Sequence, residues 1–100
     1  MEIKIFGEHL PVTESIGQYI KNKISHISIP EKILHLEFRI GKEKNNQYVK
    51  FYTVCPNQGV INLKADNTNL YLAIDTLMEK IQRNFVKNKE LHNIHLQKTT

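Results

Sequence analysis

The stretch from residue 69 to residue 89, NLYLAIDTLMEKIQRNFVKNK, constrains the fold more than any other. Leu70, Ala73, Ile74, Leu77, Ile81 and Phe85 recur at three- and four-residue spacing, the buried stripe of an amphipathic helix. No proline or glycine interrupts it, so the spacing predicts one long helix. Asn69 supplies an N-cap, and Arg83, Lys87 and Lys89 gather near the far end, where the helix dipole favours cations. Such a stripe needs a second layer to cover it, and the preceding residues must supply that layer. At about 100° per residue, Lys80, Arg83 and Lys87 fall within a sector of roughly 60°. Three cations on one helix edge suit a phosphate-bearing partner. They also suit an ordinary solvated face with an (i, i+4) pair between Glu79 and Arg83, the more common case when nothing else is known.

The rest of the chain reads as strands and one further helix. Residues 1–6, MEIKIF, alternate apolar and polar and predict a first strand, with Gly7 and Pro11 breaking the pattern after it. Thr13 is an N-cap and Glu14 sits in the first turn of a predicted helix over residues 14–28. Ile16, Ile20, Ile24 and Ile27 form its stripe, and Gly17 costs it about 1 kcal/mol relative to alanine. Tyr19, Asn22, Lys23 and His26 make a polar edge beside that stripe. Residues 33–40 predict a strand, with Leu34, Leu36, Phe38 and Ile40 on one face and His35, Glu37 and Arg39 on the other. GKEKNNQ then reads as a hairpin loop made cationic by Lys42 and Lys44. Residues 48–55 and 60–65 predict two more strands around the turn Pro56-Asn57-Gln58-Gly59.

The order β-α-β-β-β-α implies an α+β fold. Its economical form is a two-layer sandwich, a four-stranded mixed sheet with both helices on one face. A right-handed crossover makes the first two strands parallel. The layout resembles that of double-stranded-RNA-binding domains. Residues 1–90 are read as a single domain and residues 91–100 as a short polar tail. With the helices side by side, Lys23 and His26 are expected to share a surface with Lys80, Arg83 and Lys87.

Several function classes find no support. Forty per cent hydrophobic and 24% charged residues describe a globular chain rather than a disordered one. No apolar run approaches the ~20 residues of a membrane span, and the N-terminal residues do not resemble a signal peptide. A cytoplasmic location without membrane contact is expected. The single cysteine, Cys55, cannot form an internal disulfide and reads as a small buried hydrophobe. His92 and His95 have a metal-ligand spacing, but no carboxylate or cysteine constellation accompanies them. No catalytic residue, metal, cofactor or small-molecule substrate is expected. The formal net charge of +4 favours an anionic partner without identifying it. From these features alone, a general RNA-binding module and a protein-interaction module both remain open.

Particular motifs add a resemblance. Leu70-Tyr71-Leu72-Ala73-Ile74-Asp75 is similar to the MYAAID signature of the short ribosome hibernation factors, and Lys80-Ile81-Gln82-Arg83 with Lys87 to the KLxRQLxKxK that follows it. Ile3-Lys4-Ile5-Phe6-Gly7 resembles the INITG strand of that family, and Val12-Thr13-Glu14 its VTEA or ITEA helix start. Lys42-Glu43-Lys44 resembles its VEK, and Asn57-Gln58-Gly59 its glycine-rich turn. The resemblance covers nearly the whole chain and points to the hibernation promoting factor, ribosome-associated inhibitor and sigma-54 modulation protein family. His26 stands where the family often has lysine, Gly17 where a basic residue is frequent, and Asn84 where glutamine is usual.

The resemblance implies a non-enzymatic protein that binds the small ribosomal subunit in the mRNA and tRNA channel near the decoding centre. Occupancy there blocks translation and preserves idle ribosomes in stationary phase or stress. Carried onto this sequence, the implied rRNA contacts are Lys23, His26, Lys80, Arg83 and Lys87 on the helices, with Lys42 and Lys44 on the loop. The length matches the short form of the family, whose promotion of ribosome dimers involves ribosome modulation factor as a second partner.

Overall fold

The computed structural model describes the backbone of residues 1–99 and the side chains of residues 1–86. Six elements follow one another: β1 (Glu2–Glu8), α1 (Glu14–Ser25), β2 (His35–Glu43), β3 (Asn46–Cys55), β4 (Gly59–Asn67) and α2 (Leu70–Thr99). The strands stand in the order β1-β2-β3-β4. β1 is parallel to β2, while β2–β3 and β3–β4 are antiparallel hairpins. The sheet is therefore mixed, and both helices lie on one face of it.

One core joins the layers. Leu36, Phe38 and Ile40 of β2, Val49, Phe51 and Cys55 of β3 and Ala65 of β4 turn their side chains toward the helices. Ile16, Ile20 and Ile24 of α1 and Leu70, Ala73, Ile74, Leu77, Ile81 and Phe85 of α2 meet them. Phe38 and Phe51 are register partners, with ring centroids 5.3 Å apart. Among the described residues Thr53 is the buried polar one, and its hydroxyl donates to the His35 carbonyl at 2.6 Å, which offsets the cost of desolvating it. Cys55 is buried, as its setting in the apolar run predicts.

The caps follow the sequence, and the boundaries shift. Thr13 Oγ1 accepts from the Ile16 amide at 3.2 Å and opens α1. The helix closes at Ser25 rather than residue 28, because the His26 and Ile27 amides fall back on the Lys23 and Ile24 carbonyls in a tightened last turn. Pro30 excludes helical geometry at the residue before it. Ile33, whose amide bonds the Pro30 carbonyl, is buried at 2% exposure, whereas Leu34, predicted on the core face, is 62% exposed and lies outside β2. At the other end, Asn69 Oδ1 accepts from the Tyr71 amide at 2.9 Å. α2 then continues to Thr99 rather than stopping at residue 89, since no proline or glycine follows to end it.

Both hairpins are tighter than the composition suggests. β2 and β3 pair as far as Glu43 opposite Asn46, leaving Lys44 and Asn45 as a two-residue turn, with Lys44 at φ 55°. Most of the predicted loop is thus strand. Between β3 and β4 the Gln58 amide bonds the Cys55 carbonyl at 3.0 Å. Pro56 precedes Asn57 at φ 69°, the pattern of a type II turn.

Candidate nucleic-acid interface

The seam between α1 and α2 is built from the first helix's polar edge and the start of the second helix. The Tyr19 hydroxyl donates to Asp75 Oδ1 at 2.6 Å, and Lys23 Nζ lies 3.5 Å from the same oxygen. Lys23 Nζ also sits 5.3 Å from the Tyr19 ring centre. Tyr71 meets Tyr19 edge-on, with centroids 4.9 Å apart. The Asp75 charge raises the Lys23 pKa, and its hydrogen bond raises that of Tyr19. Lys23 is thus a paired cation. His26, at the C-cap, holds the Asn22 carbonyl through Nδ1 at 2.9 Å. A carbonyl only accepts, so Nδ1 carries the proton in this contact.

Lys80 and Arg83 keep their expected spacing on α2, but Lys80 stands on the flank away from α1. Asp75 and Lys80 stand about 140° apart around α2. Asp75 meets α1, whereas Lys80 Nζ donates to the Lys64 carbonyl on β4 at 2.7 Å. The two flanks of α2 therefore separate Lys80 from Lys23. Lys80 also covers a carbonyl on the open edge of the sheet, a position otherwise available to another strand. Arg83 lies on the crest between the flanks, 3.9 Å from Glu79, with both side chains exposed. The side chain of Lys87 lies outside the described residues, as do those of His92 and His95.

At the β2–β3 hairpin, Lys42 and Lys44 are exposed. Among the described residues neither has a carboxylate within ion-pair distance, and Lys80 has none either. Hairpin lysines thus keep their full charge toward solvent, while Lys23 on the helix shares its charge with an acid.

The opposite face of the sheet holds cations that the sequence reading passed over. The register places Phe6, Arg39, Lys50 and Lys64 in one row across all four strands. Arg39 lies over the Phe6 ring, and Lys50 and Lys64 lie near the Tyr48 ring. Tyr48 crosses Gly41 to donate to Glu8 Oε1 at 2.8 Å. Each cation here has an acid: Lys4 has Glu2, Arg39 has Glu37 and Glu8, Lys50 has Glu8, and Lys64 has Glu43. The Tyr48 hydrogen bond, aided by Lys50 and Arg39, holds the Glu8 carboxyl below its usual range against the opposing effect of desolvation. Its bond to Glu8 raises the Tyr48 pKa, and Glu37 raises that of Arg39. The two hairpin turns carry the signal for this row, because fixing them fixes which residues stand opposite one another.

Exposed lysines without carboxylate neighbours are suited to anionic partners. Among the described residues, no group of His, Cys, Asp and Glu is arranged to hold a metal ion. No described helix is long and apolar enough to cross a membrane.

Comparison with known proteins places the chain. The family model described as Sigma 54 modulation protein / S30EA ribosomal protein matches residues 3–93. The ribosome hibernation promoting factor of Pseudomonas putida is 31% identical over 98 residues, covering 97% of this chain and 95% of that protein. A solved ribosomal subunit interface protein from Coxiella burnetii superposes with a TM-score of 0.83 at 21% identity, covering 90% of this chain and 99% of that one. The N-terminal domain of Thermus thermophilus Protein Y gives 0.72 at 19% identity, covering 84% and 94%. The two solved structures share the β-α-β-β-β-α fold, and the sequence matches carry the relationship: the chain belongs to the Sigma 54 modulation protein / S30EA ribosomal protein family.

Proposed function

We propose that this protein is a ribosome hibernation factor. It binds the small ribosomal subunit in the channel used by mRNA and tRNA near the decoding centre, blocks translation by occupying it, and preserves idle ribosomes in stationary phase or stress. The observation that carries this reading is the match, along 97% of the chain, to a relative named ribosome hibernation promoting factor. Lys42, Lys44 and Lys80, exposed and without an acid partner among the described residues, supply chemistry that fits rRNA phosphates, and Lys21 and Lys32 are exposed in the same way.

In physical terms, a rigid two-layer domain fills the channel and its cations displace counterions from folded rRNA, so binding weakens steeply with salt. Phosphate geometry and shape dominate over base edges. The proposed contacts are Lys23, His26, Lys42, Lys44, Lys80, Arg83 and Lys87. His26 donates to a phosphate through Nε2 only as the imidazolium, because Nδ1 is occupied by the Asn22 carbonyl. The block is steric, without catalysis, and is reversed by dissociation in the cytoplasm. Ribosome modulation factor is the proposed second partner where ribosomes pair into dimers.

The test is sedimentation of the protein with separated subunits, 70S ribosomes and naked duplex RNA at low and raised salt. Saturable pelleting with the small subunit, lost at raised salt, is expected. Equal affinity for naked duplex would replace the proposal with general RNA binding. No pelleting at low salt would leave a protein-interaction module as the better account.

A further inference from the structure

We infer that Asp75 is an internal competitor with rRNA phosphate for Lys23, so that the α1–α2 seam tempers affinity for the ribosome instead of maximising it. This rests on the rRNA-binding reading above. Asp75 cannot easily leave Lys23 when a phosphate arrives. Its Oδ1 accepts the Tyr19 hydroxyl at 2.6 Å, and Tyr71 packs edge-on against the Tyr19 ring. Lys23 is likewise held, 3.5 Å from that oxygen and 5.3 Å from the Tyr19 ring centre. Both side chains are partly withdrawn from water, 43% exposed for Lys23 and 37% for Asp75, so solvent screens this pair less than the Glu79–Arg83 pair, at 73% and 75%.

A lysine beside a fixed carboxylate neutralises an approaching phosphate only in part, so fewer of the cations condensed on the RNA are released. A phosphate that approaches it gains less entropy than at a free lysine, and meets the carboxylate's repulsion behind the ammonium. Lys42, Lys44 and Lys80 have no such neighbour among the described residues. Asp75 thereby lowers the cationic weight of the helix pair without removing the lysine. A hibernation factor must leave the ribosome again, and an internal competitor keeps its complex shorter-lived than its lysines alone would make it.

Asp75→Asn separates charge from shape, because the new side-chain carbonyl still accepts the Tyr19 hydroxyl. Binding to purified small subunits is measured across a salt series for wild type, Asp75→Asn, Lys23→Met and the double variant, with thermal unfolding alongside. Asp75→Asn is expected to bind about fivefold more tightly at 0.1 M salt and to steepen the log–log salt slope by ~0.7, one further phosphate neutralised. Lys23→Met is expected to cost less than about twofold in the wild-type background and about fivefold in the Asp75→Asn background, by the same relation. Weaker or unchanged binding by Asp75→Asn overturns the inference, since Asp75 would then position Lys23 or do nothing. If Asp75→Asn unfolds, Asp75→Ser takes its place: tighter binding than wild type supports the inference, and unchanged or weaker binding overturns it. Wild-type protein that fails to bind the small subunit overturns the rRNA reading and this inference with it. Wild-type binding with an unaltered Asp75→Asn overturns the inference alone.

Discussion

The open face of the sheet holds paired cations, whereas the side of the helices and the β2–β3 turn mixes paired cations, Lys23 and Arg83, with unpaired ones. On the open face, Lys4, Arg39, Lys50 and Lys64 each share a carboxylate, and Glu8 serves two of them. On the side of the helices and the β2–β3 turn, Lys42, Lys44 and Lys80 have no carboxylate within ion-pair distance among the described residues. A cation paired on folding cross-links the surface it stands on, whereas an unpaired one keeps its charge for a partner. Net charge cannot separate the two, since both kinds enter the +4 alike. On the function proposed above, the helix-and-hairpin side is the one expected to meet phosphate.

The sharpest way to break this contrast is to remove the unpaired lysines of the hairpin and α2. Lys42→Ala, Lys44→Ala and Lys80→Ala combined are expected to weaken small-subunit binding about 100-fold at 0.1 M salt, from a salt slope reduced by ~2. Lys4→Ala with Lys50→Ala on the open face is expected to change it by no more than about twofold, and an equal loss there would erase the distinction between the faces. Gly41→Ala attacks the open face through packing. The new methyl group would overlap the Tyr48 ring where it crosses to Glu8. The cost expected is about 1–3 kcal/mol of stability in a urea titration, the usual range for overpacking, with ribosome affinity per folded molecule unchanged.

Lys44→Asn tests charge against backbone at one position. Asparagine tolerates the left-handed φ of 55° that the turn requires, so stability should hold or rise slightly. Binding should fall about fivefold with the loss of one phosphate contact. The smallest effect concerns acid. Glu8 has its pKa lowered by folding, so the unfolded chain binds the proton first and the stability that Glu8 contributes falls away as pH drops below the ordinary glutamate range. Glu8→Gln should remove that part of the acid dependence, giving a shallower loss of stability between neutral pH and acid, read as the urea midpoint against pH.

Much of the fold is legible in the sequence because periodicity reports burial directly. The stripe from Leu70 to Phe85 and the alternation of Leu36, Phe38 and Ile40 correspond to the buried residues. Boundaries were less legible. Ile27 keeps the helical spacing after the chain has left α1, because spacing cannot register the tightened turn at His26. Leu34 and Ile33 exchange places because the turn from Pro30 sets the phase at which the chain enters β2. For the candidate interface, residue type and helix position were readable but pairing was not. The Lys23–Asp75 contact joins two helices far apart in sequence, and the contact of Lys80 with the Lys64 carbonyl depends on which flank of α2 meets β4. Contacts of this kind depend on tertiary packing, which local pattern does not encode.

The most direct test of the account is amine-reactive labelling of the lysines, free and bound to the small subunit, read by mass spectrometry at each position. Lys42, Lys44 and Lys80 are expected to become protected in the complex, while Lys4, Lys50 and Lys64 stay as reactive as in the free protein. Protection of Lys4, Lys50 and Lys64 with Lys42, Lys44 and Lys80 left reactive would turn the molecule over and contradict the account.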